Sequence, residues 1–168
     1  MGILYLGSVS YTNAGFEHFL NFADRFKDRY NFFVLSGDGI AKKIIQHRPH
    51  ILLDKIEHSK IPLFLEKHNI SVALHTRPSN AYDDITFPIK ILDFISFQLP
   101  FLTEAHHPLK QLLGNEYDLF VDISNYVEMD SMIQKLINES EYYKKINFLA
   151  KIACQNTYEN RYKEIFGE

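Results

Sequence analysis

Asp93 lies in the second turn of an otherwise apolar helical stretch, flanked by Leu92 and Phe94. A carboxylate there is costly to bury unless something donates hydrogen bonds to it. The two hydroxyls of a ribose are suitable donors, and a capping or lysine-paired aspartate on an exposed side satisfies the same requirement. Pro88 and Ile89 open this helix, because proline's missing N–H has no intrahelical partner in a first turn. The free N–H groups at such an end favour an anion, and Lys90 and Arg77 add full positive charges nearby. Gly7 with Ser8, and Gly37 with Asp38, stand in two short loops where a glycine lets the backbone come close to a ligand. Each of these positions taken singly also fits an ordinary turn or a solvated side chain.

The elements that must position these residues are short apolar runs alternating with amphipathic stretches. Ile3–Leu6, Phe32–Leu35, Ile51–Leu53, Val72–Leu74, Pro100–Leu102 and Leu119–Val121 read as six strands. Between the first two, Phe16, Phe19, Leu20, Ala23 and Phe26 recur at helical spacing. Asp38 is placed to cap a helix carrying Ile40, Ala41, Ile44 and Ile45, and Ser59 to cap one carrying Ile61, Phe64 and Leu65. Closing helices are expected over about 141–168, with further apolar stripes from Met129 onward. The pattern predicts one α/β domain over residues 1–168, a Rossmann-like, doubly wound parallel six-stranded sheet in the order 3-2-1-4-5-6. Such sheets bind ligands beyond the carboxyl ends of their strands, where the strand order reverses. The loops at Gly7, at Gly37 and from His75 to Pro88 meet there.

Composition narrows the function. Eighteen basic against 21 acidic residues give a net charge of -3, which opposes a chain-wide surface for nucleic acid. No stretch approaches the ~20 apolar residues that span a bilayer, and no signal peptide is evident. One cysteine, Cys154, forms no internal disulfide, so a cytoplasmic location is the default. The eight histidines fall in separate segments without an HExxH pair, and no metal is expected.

The run Pro88-Ile89-Lys90-Ile91-Leu92-Asp93-Phe94-Ile95-Ser96-Phe97-Gln98-Leu99-Pro100 resembles a signature of GT-B glycosyltransferases, roughly P-x-K-L-x-E-Y-x-A-x-G-x-P. Leu35–Gly39 resembles the V-G-D-G turn of group 1, or family 4-like, members. Leu52–Leu65 and the segment Asn156-Thr157-Tyr158-Glu159-Asn160-Arg161 match later blocks in order. The resemblance implies one half of a GT-B fold, the C-terminal domain that binds the nucleotide-sugar donor. It assigns Asp93 to the ribose, Lys90 to the diphosphate, and Leu53 and Asp54 to the turn beside the base. Serine at position 8 replaces a common arginine or lysine, Gln98 replaces glycine and Asp93 shortens glutamate.

The expected function is therefore donor binding, with a UDP- or GDP-linked sugar as substrate and no cofactor, in a transferase that glycosylates an acceptor hydroxyl. Since the chain begins two residues before its first strand, the acceptor domain is expected to be missing, and the fragment alone to be inactive. That missing half would supply any catalytic base and any peripheral contact with the inner face of a membrane. A sugar-nucleotide epimerase half-domain and a degenerate, non-catalytic binding module are the alternatives.

Overall fold

The computed structural model describes residues 1–10, 15–80, 86–157 and 160. Five parallel strands, β1 (Gly2–Leu6), β2 (Asn31–Leu35), β3 (Ile51–Asp54), β4 (Ile70–His75) and β5 (Phe101–Thr103), form one sheet in the order β3-β2-β1-β4-β5. Ile3, Leu4 and Tyr5 of β1 and Phe32–Leu35 of β2 are all buried, as parallel strands covered on both faces must be.

The helices are α1 (Phe16–Phe26), α2 (Ala41–Ile45), α3 (Ile61–Lys67), α4 (Lys90–Ser96), α5 (His107–Leu113), α6 (Tyr126–Leu136) and α7 (Glu139–Gln155). A single 3-10 turn, His58–Lys60, leads into α3. Right-handed crossovers place α1 and α2 on one face of the sheet and α3 and α4 on the other. α1 buries Phe16, Phe19, Leu20 and Ala23 of the expected stripe together with Phe22, while Phe26, also expected there, is only partly buried. α6 lies beside α1, with the Tyr126 hydroxyl 3.2 Å from His18 Nδ1 and accepting from Asn21 Nδ2. α7 packs on α4 across the other face. No described helix is long and apolar enough to cross a membrane.

Leu119–Val121, expected as a sixth strand, makes a single rung with β5 instead. The Thr103 N–H donates to the Leu119 carbonyl and the Val121 N–H to the Thr103 carbonyl, at 3.3 and 2.9 Å. The pairing stops because a side chain occupies the next rung: the buried Tyr117 hydroxyl donates to the Phe101 carbonyl at 2.5 Å and accepts from the Phe101 N–H at 3.2 Å. Two expected caps also differ. Ser59 lies inside the 3-10 turn and α3 has no side-chain cap, while Asp38 turns its carboxylate away from α2. Tyr158 and Arg161 of the expected closing helix, and Asp83 and Asp84, lie outside the described residues.

Gln98 stands where the resembling signature has glycine, and its φ of 53° is the left-handed conformation that glycine adopts without strain. Its N–H donates to Ile95 and that of Leu99 to Phe94, at 3.0 and 2.9 Å, closing α4 in a Schellman arrangement. Gln98→Gly is expected to raise stability by about 1 kcal/mol by relieving this strain. A shift in the urea midpoint at constant m-value reads it, and no shift or a loss would contradict it.

Candidate functional site

The site builds from the end of β1. Gly7 has φ of 122°, and its N–H donates to the Leu35 carbonyl at 3.0 Å. A Cβ at Gly7 would lie 3.1 Å from Lys90 Nζ, so the missing side chain makes the space that the lysine amine fills. That amine sits 5.0 Å from the centroid of the Tyr5 ring, a cation–π arrangement. Among the described residues no carboxylate pairs with it. Burial, followed by the Arg77 charge, pushes the Lys90 pKa down to about 8. The same positive field reaches His75 at the end of β4, which burial first, and then Lys90, His106 and Arg77, keep well below the ordinary histidine range. Its Nδ1 lies 2.9 Å from Thr103 Oγ1, which lies 3.3 Å from the Glu104 carbonyl oxygen.

Asp38 serves the loop after β1. Its Oδ2 accepts from Ser8 Oγ and the Val9 N–H, both at 2.7 Å, and from the Ser10 N–H and Oγ, both at 3.0 Å. The Ser8 hydroxyl and then these N–H groups pull its pKa down to about 2. Two backbone donors that could face a phosphate are thus turned to an internal carboxylate. The positive charges at this edge are those of Lys90, Arg77 and Lys55.

Beside them is a cavity of about 240 Å³ lined by Gly7, Ser36, Gly37, Lys55, Ile56, His58 and Ile61. It falls below the ~300–1,000 Å³ usual for a whole ligand, so it suits one portion of an extended molecule. Of the residues expected from sequence, Gly7 and Gly37 line it. Leu53 and Asp54 end β3 just short of it; the Asp54 carboxylate accepts from the Lys55 N–H at 2.7 Å, and Lys55 and Ile56 reach the cavity in their place. Pro88 precedes α4, its carbonyl accepting from the Ile91 N–H, and Ile89 caps the helix with its side chain 76% exposed.

Asp93 falls in the first turn of α4. It is neither a cap nor lysine-paired: His58 Nε2 lies 2.8 Å from its Oδ1. His58, Lys55 and Tyr5 escape sequence reasoning, because their partners are far along the chain and no local motif marks them.

No family model matches this sequence, and no curated protein does. Solved structures do. The C-terminal domain of a glycosyl transferase group 1 family protein, LpcC, from Francisella tularensis superposes with a TM-score of 0.65 at 10% identity, over 92% of this chain and 85% of that one. A trehalose-6-phosphate synthase, described for glycosyl transfer with retention, gives 0.63 at 11% identity over 98% of this chain. The chain spans 43% of that protein. The architecture, with its strand order, is a Rossmann-like fold that matches one half of the GT-B fold.

Proposed function

We propose that this domain binds the nucleoside diphosphate of a nucleotide sugar and acts as the donor half of a glycosyltransferase. The observation that carries the reading is the Lys90 ammonium, half-buried over Gly7 and Tyr5 at the switch point of the sheet without a carboxylate partner among the described residues. Burying a charge this way is unfavourable unless a counter-charge arrives, and a diphosphate supplies one. Arg77 adds to the field, and the cavity beside Gly37 and Ile56 takes the nucleoside. Asp93, one turn after Lys90, takes the ribose. In this reading the nucleoside is uridine or guanosine, the enzyme works in the cytoplasm, and an acceptor domain facing the same edge completes the active site. The domain holds the leaving diphosphate with positive charge while the sugar departs.

Calorimetry with UDP, GDP, ADP and inorganic diphosphate tests this. At least one nucleotide should bind more tightly than inorganic diphosphate. Its affinity should fall as pH rises from 7 through 9, because Lys90 loses its proton near pH 8 while the phosphates keep theirs off throughout. A flat profile, or no nucleotide binding at all, overturns the reading.

A further inference from the structure

The carboxylate of Asp93 is held from outside its own helix. A carboxylate only accepts, so the 2.8 Å contact is a bond donated by His58 Nε2–H to Oδ1. Among the described residues no hydrogen bond reaches Oδ2. The His58 ring lies 5.5 Å from the Phe97 ring, at an interplanar angle of 43°, so both its edge and its face are placed by α4. His58 opens the 3-10 turn before α3 and lines the cavity at Gly7 and Gly37. The pair therefore joins the segment carrying Lys55 and Ile56 to the helix carrying Lys90. The His58 side chain is 65% exposed and that of Asp93 27%, so the bond adds little to the core and sits where a ligand would arrive.

We propose that His58 is a positioning residue for ribose recognition, holding Asp93 in one rotamer by Oδ1 and leaving Oδ2 for a ribose hydroxyl. This rests on the donor-binding reading with Asp93 at the ribose. A carboxylate fixed before the ligand arrives loses no rotamer freedom on binding, whereas a free one must be ordered by the ribose itself. The effect is largest for ligands that carry the hydroxyls. Glutamine at position 58 keeps an N–H donor of similar reach and retains the function; alanine does not.

The test uses whichever of UDP, GDP and ADP binds, its 2′,3′-dideoxy form and inorganic diphosphate, measured by calorimetry on the wild type, His58→Ala, His58→Gln, Asp93→Asn and the alanine–asparagine double variant. His58→Ala should weaken the ribonucleotide about five- to tenfold, weaken the dideoxynucleotide less, and leave inorganic diphosphate within about twofold. His58→Gln should recover most of the loss, and the double variant should bind no worse than Asp93→Asn alone. Unchanged or tighter ribonucleotide binding by His58→Ala, while Asp93→Asn weakens it, would overturn the role of His58 and leave Asp93 at the ribose. An Asp93→Asn variant that binds ribonucleotide and dideoxynucleotide like the wild type would instead overturn the ribose assignment. Equal losses for all three ligands with a lowered melting temperature would reduce the pair to a fold contact.

Discussion

Gly15→Ala should destabilise the domain by about 4 kcal/mol or more, the largest effect expected of any single methyl group added to this chain. Gly15 precedes α1 with φ of 68°, a conformation that already disfavours alanine. Steric overlap adds far more to the cost. A Cβ at this position would stand 1.6 Å from the Thr76 carbonyl oxygen, 2.5 Å from its carbon and 3.0 Å from Arg77 Cα. All three are backbone atoms at the exit of β4, so no side-chain rotation relieves the overlap. The start of α1 or the end of β4 must move, and both lead into the loops that carry the candidate site. A loss of this size corresponds to a fall in melting temperature of about 8–16 °C for a chain of this length. A fall of less than about 2 °C would show that the two segments have room between them for a methyl group.

Lys90→Met should change binding and stability in opposite directions. Removing a charge-assisted contact to a phosphate costs roughly 1.5–3 kcal/mol, so nucleotide affinity should fall on the order of 10- to 100-fold. Stability should rise by about 1–2 kcal/mol, because methionine fills the space over Gly7 and Tyr5 without a charge to bury. The depressed lysine pKa fixes the pH window. At pH 7 native and unfolded chains both hold the proton, and the cost of burying it is fully present. Between about 8 and 10.5 the unfolded chain still binds the proton that the native state gives up, so wild-type stability should climb with pH. The climb should be absent in the variant. Urea titrations at pH 7 and 9.5 together with calorimetry separate the effects, and a variant weakened in both would make Lys90 a structural residue.

Much of the fold is legible because each central strand is one continuous apolar run. The order of β3, β2, β1, β4 and β5 follows from those runs and the handedness of their connections. The sixth strand misleads for a physical reason: Leu119–Val121 is apolar enough to pair, but whether it does depends on Tyr117 reaching Phe101 first. The caps fail similarly, since the Asp38 carboxylate has a better set of donors in a loop 28 to 30 residues away than in its own helix. At the candidate site, Gly7 and Gly37 are visible through residue type and spacing and line the cavity, and Lys90 and Asp93 stand out by type alone. His58 does not, because its bond to Asp93 joins residues 35 apart. Gln98 shows the converse, a residue whose type gives no hint of the left-handed backbone that it adopts.

The tyrosine that ends the sheet also governs how copies of this chain could meet. Strand-to-strand association needs an edge with unpaired N–H and C=O groups, and a fibre needs two such edges on every molecule. On β5 the outward groups of Phe101 are taken by Tyr117 and those of Thr103 by Leu119 and Val121. β3 is the other edge, four residues long and paired only with β2 among the described residues. Among the described residues only β3 leaves a strand edge open, so association through the sheet would join two molecules at β3.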